Sequence, residues 1–454
     1  MLLLVVLVCP TASPAARGQF GLQSLATFSC SDDGTQPTSL IQGTDGCLYG
    51  TTSGTQNAAL STNGTVFKLT PGGELTVLAS FDLTGPVGGR PGALVQMPDG
   101  SFYGATYQPA PGHGGIFHLT PTGALNVIFS FNGANGSSAR TLIHGADGNL
   151  YGITDSGGSG GYGTVFRLTT TGELTTLFSF SRTNGINPTS LVRGGDGTLF
   201  GTCSDWIGVN APDTVFKLTP SGAFTILASS FDSEISRPLS LVQGSDGSLY
   251  GADQAGGANH FGSVFKVTPA GTVTILAEFN GTNGWGPDRL IQGADGNFYG
   301  TSAAGGPDFA GWLPSDCGYV GSGSGTIFKL APDGELTALA SFQSLPGDDV
   351  VGFLQDADGV FYGGRTSGGP PEPAGIFRLA PPPIITALRR SGGQEAVTWT
   401  SFTGGEYQVE YKTSLSAPAW QALPSVVTAV TKTASLTNFP GESSGCYYRV
   451  RLLP

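Results

Sequence analysis

Apolar and polar residues alternate along this chain in short runs broken by glycine-rich turns. In Leu290-Ile291-Gln292-Gly293-Ala294-Asp295-Gly296-Asn297-Phe298-Tyr299-Gly300, two apolar runs flank an Asp-Gly. That dipeptide supplies the positive φ values of a tight hairpin, so the stretch predicts two antiparallel strands, a and b. The turn aspartate recurs at Asp45, Asp99, Asp147, Asp196, Asp246, Asp295 and Asp358, mostly about fifty residues apart, a spacing typical of propellers and solenoids. An aromatic-Gly pair follows each turn, as in Tyr49-Gly50 and Tyr299-Gly300. A variable Gly-rich loop leads to a third strand, c, such as Gly64-Thr65-Val66-Phe67-Lys68-Leu69-Thr70. Val66 and Lys68 fall on one face of it and Phe67 and Leu69 on the other, the period of a half-buried strand. After a turn such as Pro71-Gly72-Gly73 comes a fourth strand, d, at Glu74–Phe81.

Each unit is thus a four-stranded meander that cannot bury both faces alone. Stacking the sheets radially buries the aromatics between them and leaves only short edges. The seventh unit runs into Pro381-Pro382-Pro383 without a strand d, while Gly21–Ser29 matches a strand d and has no unit of its own. The expectation is an all-β chain: a seven-bladed β-propeller over residues 19–381, closed by the N-terminal strand, which removes two free edges at once. After the triple proline the repeat is lost. Residues 384–454 hold six strand-like runs with turns at Ser391-Gly392-Gly393, Gly404-Gly405 and Pro440-Gly441, which predicts a small C-terminal β-sandwich with Trp399 and Tyr448 as core aromatics.

Gly-Thr-Val-Phe-Lys-Leu-Thr-Pro-x-Gly, x-Leu-x-x-Leu-x-Ser-Phe and Gly-x-Asp-Gly-x-Leu-Tyr-Gly-Thr, recurring over residues 22–380, resemble the GloVer tandem repeat of secreted bacterial choice-of-anchor proteins. The tail resembles fibronectin type III-like modules of secreted bacterial proteins. These resemblances imply an exported, surface or extracellular propeller-like protein with no assigned activity. Members often end in an anchoring segment; this chain ends Leu452-Leu453-Pro454, and an anchor is not expected from it. Residues 1–18 read as a signal peptide, because the apolar run Leu2–Val8 is too short to span a bilayer. The mature chain is expected to be a monomer, without a transmembrane segment, in the secreted or cell-surface compartment.

Net charge −12 disfavours nucleic acid, which needs a basic surface. Cys30, Cys47, Cys203, Cys317 and Cys446 show no framework spacing and no CxxC, so zinc is not expected. Cys30 and Cys47 are a pairing option in an oxidising compartment, with plain thiols preferred. Each turn offers one carboxylate where calcium wants six or more oxygens, and a turn Asp usually bonds its own backbone. Gln42, Gln96, Gln243, Gln292 and Gln355, which end strand a in five units, read as structural for the same reason that they repeat. No cofactor, metal or catalytic residue is assigned.

Turns a–b and c–d share one uniform face. Loops b–c and d–a share the other, which varies, and loops on a rigid scaffold tend to carry function. The candidate ligand-binding residues are there: Tyr107, His113, Tyr162, Asp205, Trp206, His260, Trp285, Asp308, Trp312, Asp316 and Tyr319. Aromatic faces that stack, with polar groups that orient, suit an extracellular glycan or protein. The expected function is non-enzymatic binding at or outside the cell surface. The alternative is a polysaccharide-active hydrolase or lyase on the same face, with a carboxylate pair drawn from Asp205, Asp308 and Asp316, or with His113 or His260 as acid–base groups.

Overall fold

A computed structural model describes residues 20–28, 35–54, 63–81, 89–108, 112–121, 123–231, 233–309, 311–315, 318–321, 323–342, 350–366, 374–391, 394–413, 419–440 and 447–453. Every regular element among them is a β-strand. Two compact units are formed, one of Ser24–Arg378 and one of Leu379–Pro454 with the N-terminal residues.

The larger unit is a series of four-stranded antiparallel sheets. The first runs Gln36–Gln42 (a), Leu48–Ser53 (b), Gly64–Leu69 (c) and Leu75–Ser80 (d), and five more repeat that sequential order. In a further sheet Val350–Gln355, Phe361–Arg365 and Gly375–Ala380 are joined at the outer edge by Gly21–Thr27. The Phe28 amide extends that pairing by donating to Ala374 O at 3.0 Å. Each a strand packs on the a strand of the next sheet, and that of Val350–Gln355 packs on Gln36–Gln42.

The repeated aromatics explain the packing. The strand-c phenylalanines Phe67, Phe117, Phe166, Phe216, Phe265 and Phe328 are fully buried. Each ring lies over the glycine of the aromatic-Gly pair, so tightly that a Cβ on Gly104 would sit 2.1 Å from Phe117 Cζ and one on Gly152 2.4 Å from Phe166 Cζ. Glycine is required there because the ring occupies the space. A phenylalanine at the end of each d strand then meets the strand-c ring of the following sheet: Phe81 and Phe117 at 5.1 Å, Phe131 and Phe166 at 5.4 Å, Phe180 and Phe216 at 5.2 Å, Phe279 and Phe328 at 5.1 Å. Phe28 makes the same contact with Phe67 at 5.1 Å. Tilted and edge-to-face pairs of this kind add to the burial of about 1.5–3 kcal/mol per ring. One step differs. Phe231 follows an extra serine, points to solvent at 65 % exposure, and Ile235 fills the buried place beside Phe265.

At the turn end the aspartates act on their own turns, as their repetition suggests. Asp45 Oδ1 accepts the Cys47 amide, and Oδ2 accepts from Tyr49 (2.9 Å) and Lys68 (2.8 Å). Burial alone would raise its pKa, but the bonds from Lys68, Tyr49 and the Cys47 amide hold the carboxyl at about 2. Asp246 repeats this with Tyr250 and Lys266, also at about 2. In the last sheet the part falls to Asp356 rather than Asp358. Asp356, which stands where most other turns have their first glycine, accepts the amides of Asp358 (2.8 Å) and Val360 (3.0 Å). The recurring glutamines join neighbouring sheets. Gln292 Nε2 donates to Gly296 O of its own turn, and its Oε1 accepts the Ser245 amide of the preceding sheet at 3.0 Å. Gln96 and Gln355 do the same towards Thr44 and Ala294.

The smaller unit has two three-stranded sheets. Ile385–Ser391, Gln394–Thr400 and Thr433–Pro440 form one; Gln421–Thr428, Glu406–Lys412 and Tyr447–Leu452 form the other. Trp399 is fully buried as expected, but its core companion is Tyr407, 5.8 Å away. Tyr448 is only half-buried, because its hydroxyl turns to the Glu395 carboxylate. Cys47 and Cys203 are free thiols. Residues 1–18 and Cys30, Cys317 and Cys446 lie outside the described residues.

Candidate functional site

The innermost strands share a departure from regular pairing. Strand Gln36–Gln42 pairs Pro37 with Thr52 and then Ser39 with Thr51, which leaves Thr38 in a bulge. The same shift leaves out Arg140, Thr189, Leu239 and Asp288, and the residues between Pro91 and Leu94 and between Val351 and Leu354. A bulge re-aims a side chain and such irregularities gather beside functional sites. Here every bulge faces one cavity of about 540 Å³, lined by Thr38, Gly92, Arg140, Thr189, Leu239, Asp288 and Gly352, one from each sheet. Ser53, Tyr107, Gln254 and Thr366 add to its wall from the ends of b strands. It therefore lies at the end of the sheets that carries the b–c and d–a loops.

The bulge residues differ from sheet to sheet, and strand b answers each. Thr38 bonds Thr51 (2.8 Å), Thr189 bonds Thr202 (2.8 Å), and Asp288 accepts from Thr301 (2.6 Å). Where the bulge holds Gly92, Arg140 or Leu239, the matching strand-b residue is Ala105, Ile153 or Ala252. Arg140, facing Ile153, reaches Asp155 instead, with Nε to Oδ1 at 2.6 Å and Nη2 to Oδ2 at 3.1 Å. The phenol of Tyr107 joins this pair. Its pKa is pushed up, first by burial and then by the Asp155 carboxylate, against the pull of Arg140.

The network continues outward. Asn187 follows the d–a loop with a left-handed backbone, φ 45°. With its amide oriented to satisfy both neighbours, it donates to Asp155 O at 3.1 Å and accepts from Trp206 Nε1 at 3.3 Å. Trp206 is 60 % exposed. Two residues expected from the sequence, Tyr107 and Trp206, are thus connected through Arg140, Asp155 and Asn187, none of which was expected. Of the three, only Asn187 has a sequence signal, the residue at the head of strand a. It precedes a proline in Asn187-Pro188, Arg237-Pro238, Gly286-Pro287 and Arg90-Pro91. Arg90 (φ 55°), Ser138 (φ 58°), Arg237 (φ 54°) and Gly286 (φ 63°) share the left-handed conformation of Asn187. Each is held by its amide, as Arg90 is by Asn63 O at 2.7 Å and Gly286 by Phe261 O at 2.9 Å.

The other expected residues are dispersed. His113 bonds Ser137 and packs on Gly133, and its carbonyl accepts the Ser138 amide. Tyr162 accepts from Arg182 Nε at 2.6 Å and its carbonyl takes the Asn187 amide. Both tie a b–c loop to the next sheet. Asp205 caps its own loop by accepting the Val209 and Ala211 amides at 3.1 and 2.9 Å. His260 and Asp308 are exposed. Trp285 is half-buried and pairs with Ala304 in the inner strand of its sheet. Trp312 and Tyr319 belong to a hairpin, Trp312–Ser315 with Gly318–Gly321, inside a stretch read from sequence as loop. Asp316 lies outside the described residues.

One more carboxylate stands apart. Asp253 is fully buried where other sheets carry Thr52, Thr154 or Ser302, and it accepts from the amides of Gly256 (2.8 Å) and Ser263 (2.9 Å) and from Ser263 Oγ (2.9 Å). Burial raises its pKa to about 7 against the pull of those bonds.

The Gloeobacter/Verrucomicrobia repeat matches residues 36–210 and 192–408. Among curated proteins none matches the chain. Solved structures that resemble it are β-propeller-like. PorZ, described as a surface component of the type-IX secretion system of Porphyromonas gingivalis, is 13% identical over 93% of this chain and 59% of its own, with a TM-score of 0.50. A protein from Lactobacillus plantarum is 18% identical over 68% of this chain and 86% of its own, at 0.47. The PQQ-bound aldose sugar dehydrogenase of Streptomyces coelicolor is 18% identical over 68% and 98%, at 0.41. At these identities the likeness speaks to fold alone.

Proposed function

Because the chain belongs to the Gloeobacter/Verrucomicrobia repeat family, we propose that it is an exported, non-enzymatic repeat protein that binds a glycan at or outside the cell surface. In this reading the sheets of residues 19–381 close into a seven-bladed β-propeller through the N-terminal strand, residues 1–18 direct export, and residues 384–454 are a fibronectin type III-like spacer. The protein works as a monomer.

One observation carries the reading: the bulge position changes chemistry from sheet to sheet while the buried leucine two residues on stays the same in six of them. Leu40, Leu94, Leu142, Leu191, Leu241 and Leu290 repeat as buried residues a step or two further on, whereas the bulges hold threonine, glycine, arginine, leucine and aspartate. Scaffold positions repeat because every sheet needs the same contact. A set of unlike side chains around one cavity suits a ligand of uneven chemistry. A sugar ring stacked on Trp206 supplies an apolar face, with hydroxyls turned to Tyr107, Gln254 and Asp288. His260 and Asp308, exposed on neighbouring loops, extend the contact surface.

A glycan array read with the full mature chain tests this, followed by calorimetry on each hit with wild type, Trp206→Ala and Tyr107→Phe. The expected outcome is binding without change to the glycan, weakened roughly tenfold or more by Trp206→Ala, since a lost stacking face is worth about 1–3 kcal/mol. Release of new reducing ends or unsaturated sugar would replace this reading with a hydrolase or lyase. Binding indifferent to both substitutions would move the site elsewhere.

A further inference from the structure

We propose that the ligand is an acidic glycan, whose uronate carboxylate is recognised by Arg90, Arg140 and Arg289. The inference rests on the glycan-binding reading above and names the class of glycan. Its ground is a local reversal of charge. The chain carries 32 acidic and 20 basic residues, yet the cavity is lined by three arginines and one carboxylate, Asp288. Asp288 is already engaged by Thr301 Oγ1.

The three guanidinium groups are held differently. Arg140 is locked by its fork to Asp155, which balances its charge and fixes the plane it presents. Arg289 is steered by one bond, Nε to Val350 O at 3.1 Å, and its terminal nitrogens have no partner among the described residues. The Arg90 side chain has none either, although its backbone is pinned at φ 55°. A non-glycine residue there is strained, and glycine avoids that strain in the equivalent Gly286. Arginine stands there against the local backbone preference. Two guanidinium groups with no side-chain ion pair among the described residues line the same cavity as a third of fixed orientation, against one carboxylate, Asp288, and that excess of positive charge suits an anion. Their planar forks match the two oxygens of a carboxylate, and the hydroxyl and amide groups of Ser53 and Gln254 suit the rest of a sugar ring.

The test is calorimetric titration of the mature chain with trigalacturonate and with its fully methyl-esterified form, in which each carboxylate is a neutral ester. The acid is expected to bind about tenfold or more tighter than the ester. Added salt should erode that ratio. In an Arg90→Gln/Arg289→Gln variant the ratio of acid to ester affinity should fall most of the way towards one, Arg140 keeping the remainder. Arg289→Lys should recover only part of the difference, because it restores charge without the fork. Equal affinity of acid and ester for wild type overturns the inference and leaves glycan binding standing. So does binding of neutral glycans on the array with no response to either probe. If no glycan binds at all, the inference and the reading beneath it fall together.

Discussion

The two ends of the innermost strands obey opposite rules. At the turn end the same device recurs in several sheets: a glutamine that clamps its own turn and the one before it, and an aspartate that gathers a turn amide, a tyrosine and a lysine. At the loop end the same backbone irregularity recurs, but each bulge carries a different side chain. Constant chemistry on a constant backbone is what a scaffold requires. Changing chemistry on a constant backbone separates the means of aiming a side chain from the choice of side chain. The bulge does the aiming, so any residue placed there reaches the cavity at little cost to the sheet. Strand b then adjusts by one residue, threonine opposite a short polar bulge and an apolar residue opposite the rest.

The contrast can be broken most forcefully between the sheets. Phe166 is fully buried against Phe131 and over Gly152, so Phe166→Ala should cost about 3–5 kcal/mol in urea denaturation. Glycan affinity of the fraction that remains folded should be unchanged, because the cavity wall contains no part of that ring. A parallel loss of affinity would mean that the two ends are not separable.

A somewhat smaller effect is expected at Asp253, and its sign depends on pH. The folded carboxyl titrates near 7, while the unfolded one keeps the usual value of about 4. Between those values the unfolded state sheds the proton first, so stability falls as pH rises through the window, by up to about 1.4 kcal/mol per pH unit. Below about 4 and above about 7 the contribution is flat. Asp253→Asn keeps an oxygen for the Gly256 and Ser263 amides and removes the ionisation. It should gain on wild type from pH 4 to pH 7 and hold that gain at pH 8, read as the difference in urea midpoints. A gain that is the same at pH 4 and pH 8 would show that ionisation of Asp253 is not the source.

What the sequence disclosed follows from the same contrast. The Asp-Gly turns, the aromatic-Gly pairs and the strand-c phenylalanines were legible because each depends on neighbours close in sequence and is repeated. The displaced Phe231 and its replacement Ile235 were not, since one inserted serine shifts the ring outward and only packing decides what takes its place. The aromatic content of the loops pointed to the end of the sheets where the cavity lies, to Tyr107 in its wall and to Trp206. It could not tell an aromatic that pins a loop, such as Tyr162 under Arg182, from one that faces solvent, because the two share a sequence context. Arg140 and Asp155 were missed for a plainer reason. They lie in what reads as ordinary strand, and a one-residue bulge leaves no mark in an alternating pattern.

The smallest expected effect isolates the backbone from the side chain at the loop end. Arg237 stands at φ 54°, equivalent to Arg90 and Gly286, but outside the cavity wall. Its amide donates to Asp213 Oδ2 at 2.9 Å, and that same carboxylate accepts the Asp205 amide at 2.6 Å, so the conformation is fixed by backbone donors that any residue supplies. Arg237→Gly therefore removes the left-handed strain and keeps the anchor. Against this stands the greater freedom of glycine in the unfolded chain, which returns part of the gain. The net change should be a stabilisation of no more than about 1 kcal/mol in the urea midpoint, with glycan affinity unaltered. Arg90→Gly relieves the same strain and should stabilise equally, yet it strips a guanidinium from the cavity and should lower affinity for an acidic ligand. If the two substitutions behaved alike in binding, arginine at the head of an inner strand would be a feature of the repeat and not of the site.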